Sequence, residues 1–110
     1  MLTDKQKLLF ENLKNIKDYW THTAVEHLSP DADLIASNCE EEYQLLANKI
    51  TSDEELLAFR KIQNELIEGV IHSILVMVDG GDDQADKLLV DLIDRKTKES
   101  LQDDIALHEE

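Results

Sequence analysis

The chain has 110 residues, of which 42% are hydrophobic and 33% charged, and its 25 acidic against 11 basic residues give a formal net charge of −14. This length supplies one modest hydrophobic core, so we expect a single helical domain over residues 1–110. The negative field repels phosphate backbones and anionic lipids, which disfavours binding to nucleic acid or to a membrane surface and favours a basic protein partner.

The scarcity of turn-forming residues indicates the fold class. The chain has three glycines and one proline, whereas a β-sandwich or barrel needs a turn signal about every 8–12 residues. We therefore predict an all-α (mainly α) single-domain bundle of three to four amphipathic helices with a long central helix. The lone Cys39 excludes an internal disulfide, and no signal peptide or spanning apolar segment is found, so we expect a cytoplasmic protein.

The first helix is predicted from a capping box at Thr3 and Gln6, whose side chains can each satisfy a free backbone N–H of the first turn. The helix is expected to run to about His27, because apolar residues recur at intervals of three and four. These residues are Leu9, Leu13, Ile16, Trp20 and Ala24.

A second helix is predicted to begin at Ser29 and Pro30 and to end near Lys49. Serine is a favoured N-cap, and proline is tolerated at the first helical position because the N–H that it lacks would be unpaired there. Its apolar stripe includes Ile35 and Cys39, so we expect Cys39 to be a small buried residue and not a nucleophile.

The third helix has the clearest signals. Two overlapping capping boxes, Thr51 with Glu54 and Ser52 with Glu55, mark its start, and Gly80 with Gly81 marks its end. Its apolar stripe widens over residues 70–78, the longest apolar run in the chain. This width predicts burial on several sides, as in the central helix of a bundle.

The segment after these glycines is ambiguous. The spacing of Ala85, Leu88 and Leu92 favours a fourth helix, whereas Leu88, Val90 and Leu92 alternate as in a strand and allow a small β-hairpin near residues 88–101. A last helix is predicted from Ser100 onward. It has no C-cap signal before Glu110, so we expect that the chain is truncated at its C-terminus.

One group of residues has metal-ligand chemistry. Glu65, Glu68, His72 and Asp79 recur on one flank of the third helix, where carboxylates and an imidazole can bind a divalent metal or transfer protons. The spacing differs from the Glu-x-x-His repeat of di-iron bundles, and a Glu and His pair four apart is also ordinary surface chemistry. We favour the solvated surface, and no cofactor is predicted.

The stretch from Glu65 to Asp94 resembles small acidic bacterial proteins, some of which belong to the toxin-immunity class. The resemblance lies in residues 69–73 (Gly-Val-Ile-His-Ser) leading into Asp79-Gly80-Gly81. It implies a protein that inhibits another protein, and it identifies no individual functional residue.

Three functions follow from these observations. With no catalytic motif present, we favour a non-enzymatic acidic protein that binds another, basic protein, such as an immunity or antitoxin-like inhibitor; its partner-binding residues are not identified by the sequence. One alternative is a metal-dependent or acid/base enzyme centred on His72. The other is an oligomeric scaffold, in which a homodimer covers the part of the apolar stripe that one domain leaves exposed.

Overall fold

The computed structural model describes residues 2–81, 86–102 and 107. This part of the chain is mainly helical, as predicted, and has α1 at Asp4–Glu26, α2 at Glu40–Ala47 and α3 at Asp53–Val78. The chain divides into two compact units. One comprises Met1–Asn15 with Glu68–Glu110, and the other comprises Ile16–Ile67. The assignment of one domain to residues 1–110 stays a prediction.

The predicted capping box begins α1. The backbone N–H of Gln6 donates to the Thr3 hydroxyl at 3.1 Å, and the backbone N–H of Thr3 donates to Oε1 of Gln6 at 2.9 Å. Gln6 is also buried, and its Nε2 donates to the carbonyl of Leu101 at 2.7 Å. One side chain therefore caps α1 and attaches the C-terminal segment to it.

The fourth helix is not formed over residues 86–93. Ile93 instead makes a single antiparallel bridge with Ser100, around a turn at residues 95–97. Both backbone groups of Leu92 are hydrogen-bonded outside a helix. Its N–H donates to Oε1 of Gln102 at 2.6 Å, and its carbonyl accepts from the N–H of Leu101 at 2.9 Å. The alternative hairpin is thus limited to one bridge, and residues 86–102 contain no strand.

The turn at residues 95–97 is also bound to the start of α1 by charge. Nζ of Lys5 lies 2.9 Å from Asp94 and 3.2 Å from Glu99, and it donates to the Thr97 hydroxyl at 2.6 Å. The hydrogen bond from Lys5, followed by the backbone N–H groups of Thr97 and Lys96, lowers the pKa of Asp94 to about 2.

The predicted final helix falls largely on residues 103–106 and 108–110, outside the described residues.

Both predicted ends of α3 are confirmed. At the start, Ser52 and not Thr51 provides the capping hydroxyl, which accepts from the N–H of Glu55 at 3.1 Å. At the end, Gly80 has a φ of 79° and its N–H donates to Met77, while the N–H of Gly81 donates to Val76. This pair of hydrogen bonds is the Schellman termination that a glycine in the left-handed region allows.

The start predicted for the second helix is wrong, because α2 begins at Glu40. Polar side chains in the preceding segment bind the backbone locally instead. Oδ1 of Asp33 accepts from the N–H of Ile35 at 3.1 Å, and the Ser37 hydroxyl accepts from the N–H of Cys39 at 3.0 Å. Such local hydrogen bonds compete with helix formation. Cys39 is therefore exposed at the N-cap of α2, and the prediction that it is buried is also wrong.

The prediction that α3 is buried on several sides is wrong for the single chain. This helix is 26 residues long and has no buried residue. Among the described residues, the buried hydrophobic side chains are Leu28, Leu34 and Leu107. The apolar residues of α3 are therefore either half-buried, as Ile67, Ile71 and Leu75 are, or exposed.

The capping geometry of α3 predicts unequal effects at two adjacent hydroxyls. Ser52→Ala removes the cap and should lower the free energy of unfolding by about 1 kcal/mol, whereas Thr51→Ala should change it by less than about 0.5 kcal/mol. Urea denaturation of both variants measures the difference. Equal losses would contradict the assignment of the cap to Ser52.

Candidate protein-binding surface

Residues 26–55 carry the strongest concentration of negative charge. This stretch, which ends α1, contains α2 and starts α3, has nine acidic residues and a single basic residue, Lys49. All nine acidic residues are exposed and belong to the unit Ile16–Ile67, and we call the exposed side chains of this stretch the acidic surface. They are Glu26, Asp31, Asp33, Glu40, Glu41, Glu42, Asp53, Glu54 and Glu55.

Helix geometry explains why these acids are tolerated where they lie. Glu40, Glu41 and Glu42 occupy the first turn of α2, and residues 53–55 occupy the first turn of α3. Carboxylates at these positions face the positive end of the helix dipole. Glu55 also accepts from the backbone N–H groups of Ser52 and Thr51 and from the Ser52 hydroxyl, which lowers its pKa.

Three large aliphatic side chains are exposed within the acidic surface, and Ile35 and Leu45 are more exposed than the third, Leu46. Ile35 is 92% exposed and follows Asp33, whose carboxylate holds the Ile35 backbone in a turn. Leu45 on α2 is 61% exposed and comes three and four residues after Glu42 and Glu41, so the three side chains share one helix face. The surface thus combines apolar anchors with flanking carboxylates.

Ile35 is exposed and precedes α2, whereas its spacing predicts a place in the apolar stripe of the second helix. The signal that could have located it is the pair of turn-forming residues on either side, Asp33 and Ser37. Their side-chain oxygens accept from the backbone two residues further on, as in Asx and serine turns. An aliphatic residue inside such a turn segment is presented to solvent.

A cleft of about 350 Å³ lies in the same unit. The ring of His27, one of its lining residues, packs edge-on against Tyr43 with centroids 4.8 Å apart, and its Nδ1 is buried without a hydrogen-bond partner. The lining contains no carboxylate, lysine or arginine, so it offers no acid/base pair. The lining residues are His27, Ser29, Pro30, Ala32, Leu34, Gln44, Ala47 and Asn48.

The four metal-ligand candidates lie along α3 and just after its end. Glu65, Glu68 and His72 are exposed, whereas Asp79 is half-buried and accepts from Nε2 of Gln102 at 3.1 Å. Within residues 2–81, 86–102 and 107, no three His, Cys, Asp or Glu side chains come together in a way that could hold a metal ion. A metal site on this flank stays the less favoured alternative from the sequence.

Comparisons with protein-family models, with curated proteins and with solved structures find no match to this chain. Over the part of the chain that the structure describes, none of the helices combines the length and apolar character needed to cross a bilayer.

The placement of these candidates predicts how the protein responds to metal. Adding Zn²⁺ or Mn²⁺ should change the thermal midpoint of the wild type and of His72→Ala equally, because three converging ligands are not assembled there. Differential scanning fluorimetry measures both. His22→Ala is the matched control, since this exposed imidazole on α1 lies 3.0 Å from Glu26 and reports weak surface binding. A midpoint that rises with metal only when His72 is present would contradict this expectation and establish the site.

Proposed function

We propose that this chain is a cytoplasmic, non-enzymatic protein that binds a basic protein, and that it acts as an inhibitor of the immunity or antitoxin kind. The observation that supports this proposal is the acidic surface of residues 26–55, with Ile35 and Leu45 exposed within it. The surface faces solvent, and it combines the two kinds of contact that protein recognition uses.

The charges and the aliphatic side chains have different roles in this proposal. Complementary charge accelerates encounter and rejects like-charged partners, while fully desolvated apolar side chains supply most of the affinity. Leu45 lies one turn after Glu41 and Glu42 on the same face of α2, so an apolar contact is flanked there by carboxylates. A partner with a basic rim around an apolar pocket would complement this face.

An inhibitory role follows from the chemistry of such a partner. A protein that acts on anionic substrates presents cationic side chains in its active site, and a carboxylate-bearing surface can occupy that site in place of the substrate. Asp33 and Glu55 accept hydrogen bonds from nearby backbone N–H groups, so these two carboxylates are held in place before binding. Such preorganisation reduces the entropy lost on association.

The proposal predicts a charge-dependent complex. The wild-type chain, immobilised and exposed to lysate of its own cells, should retain a basic protein whose binding weakens steeply as NaCl rises. Replacing Glu40, Glu41 and Glu42 by Gln should weaken that binding on the order of tenfold, mainly through slower association. Surface plasmon resonance with the purified partner measures the rates.

A matched control variant distinguishes the effect of the charges on α2 from the effect of the net charge of the chain. Glu11→Gln, Asp86→Asn and Asp91→Asn also remove three exposed carboxylates, all from the other unit. This triple variant should bind the partner nearly as well as the wild type. Equal weakening by both variants, or recovery only of partners insensitive to salt, would reject the acidic surface as the binding site.

A further inference from the structure

The third helix has an exposed apolar face that the acidic surface does not include. Five side chains, 44 to 60% exposed, recur at intervals of three and four along α3. They lie within an arc of about 120° and span about 22 Å of the helix. The members of this α3 stripe are Ile62, Leu66, Val70, Ile74 and Met77.

The α3 stripe carries no charge, although a third of the chain's residues are charged. Between Leu56 and Val78 the charged residues of α3 are Arg60, Lys61, Glu65 and Glu68. All four fall outside the arc of the stripe, at about 100° per residue. A cationic partner would gain no complementary charge from this face, so its occupant is expected to be apolar.

A small residue lies at the middle of the stripe. Gly69 is inside α3 and has no left-handed φ, and a Cβ added there would meet nothing within 4 Å. Glycine destabilises a helix interior relative to alanine, so neither the backbone nor packing within this chain accounts for it. Gly69 borders the stripe and Ser73, one turn later, lies within its arc, and both are small enough to let another backbone approach closely.

The stripe is self-complementary in an antiparallel pair. Its midpoint lies next to Gly69 and Val70, so a two-fold axis there places Ile62 of one copy opposite Met77 of the other. It also places Leu66 opposite Ile74. Isologous contacts of this kind are the commonest basis of homodimers.

The area of the stripe matches the requirement of such a dimer. Five half-exposed aliphatic side chains offer on the order of 500 Å² of apolar surface, at the upper end for one patch on a monomer. Two copies facing each other would bury about 1,000 Å² or more, the lower bound for a specific interface. We therefore propose that the α3 stripe is a homodimer interface, covered by the same stripe of a second copy.

The homodimer proposal does not rest on the proposed function. The salt dependence of binding distinguishes the two. Each copy carries a formal charge of −14, so the two copies repel each other and salt should strengthen the dimer. Binding of a basic partner should instead weaken with salt. The two interfaces therefore respond to ionic strength with opposite signs.

Sedimentation equilibrium of the full chain tests the interface. The wild type should reach twice its 12.6 kDa mass, and its dimer dissociation constant should fall between about 0.1 M and 1 M NaCl as the Debye length falls from about 10 to 3 Å. Val70→Glu should raise that constant on the order of 100-fold, because it buries two like charges at the two-fold axis.

Two comparisons complete the test. Leu57→Glu is the matched control, since Leu57 is 54% exposed on α3 but lies outside the stripe. It should leave the dimer unchanged, and circular dichroism checks that both variants keep their helix content. Ile74→Gln, which adds no charge, should weaken the dimer on the order of tenfold.

Gly69→Ala distinguishes the effect of this residue on dimer formation from its effect on the stability of the helix. It should weaken the dimer several-fold but raise the thermal midpoint when introduced into the monomeric Val70→Glu chain. A wild-type chain that stays monomeric at its highest attainable concentration would overturn the proposal. So would a dimer that survives Val70→Glu, or one that Leu57→Glu disrupts equally.

Discussion

The rest of this structure depends on the burial of aliphatic side chains. Few of these side chains are fully buried within one chain. In the described residues three hydrophobic side chains are buried, whereas seventeen large hydrophobic side chains are exposed. Apolar burial is the main favourable term in folding. Polar contacts therefore attach the segments of the unit formed by Met1–Asn15 and Glu68–Glu110, where Gln6 and Gln102 bind backbone groups far from them in sequence.

The exposed charged groups and the exposed uncharged apolar face lie in different parts of the chain. Carboxylates concentrate on residues 26–55, close in sequence to Ile35 and Leu45, while the α3 stripe is free of charge. A surface with both charge and apolar anchors is suited to a partner of opposite charge, and a charge-free helix face is suited to a second helix of the same kind. The proposed function and the homodimer thus use different groups.

Local signals in the sequence predict much of this fold. The capping boxes at Thr3 and at Ser52 and the glycine pair after Val78 act over three or four residues, and the structure reproduces all three. The predicted start of the second helix is wrong because Asp33 and Ser37 bind the backbone locally, which apolar periodicity does not reveal. The fourth helix is not formed because the backbone N–H of Leu92 donates to the side chain of Gln102, ten residues away. Periodicity predicts an apolar band on α3 that includes Leu66, Val70 and Ile74 but not Ile62, and it cannot tell whether the same chain or another one covers that band.

The most direct test of this account is the concentration dependence of thermal unfolding. If a second copy covers the α3 stripe, dissociation accompanies unfolding, and the midpoint of the wild-type chain depends on protein concentration. A hundredfold increase in concentration should raise the midpoint by roughly 5–10 °C. An unchanged midpoint over that range would contradict the account, since it would mean that the exposed apolar face of α3 stays uncovered in the folded protein.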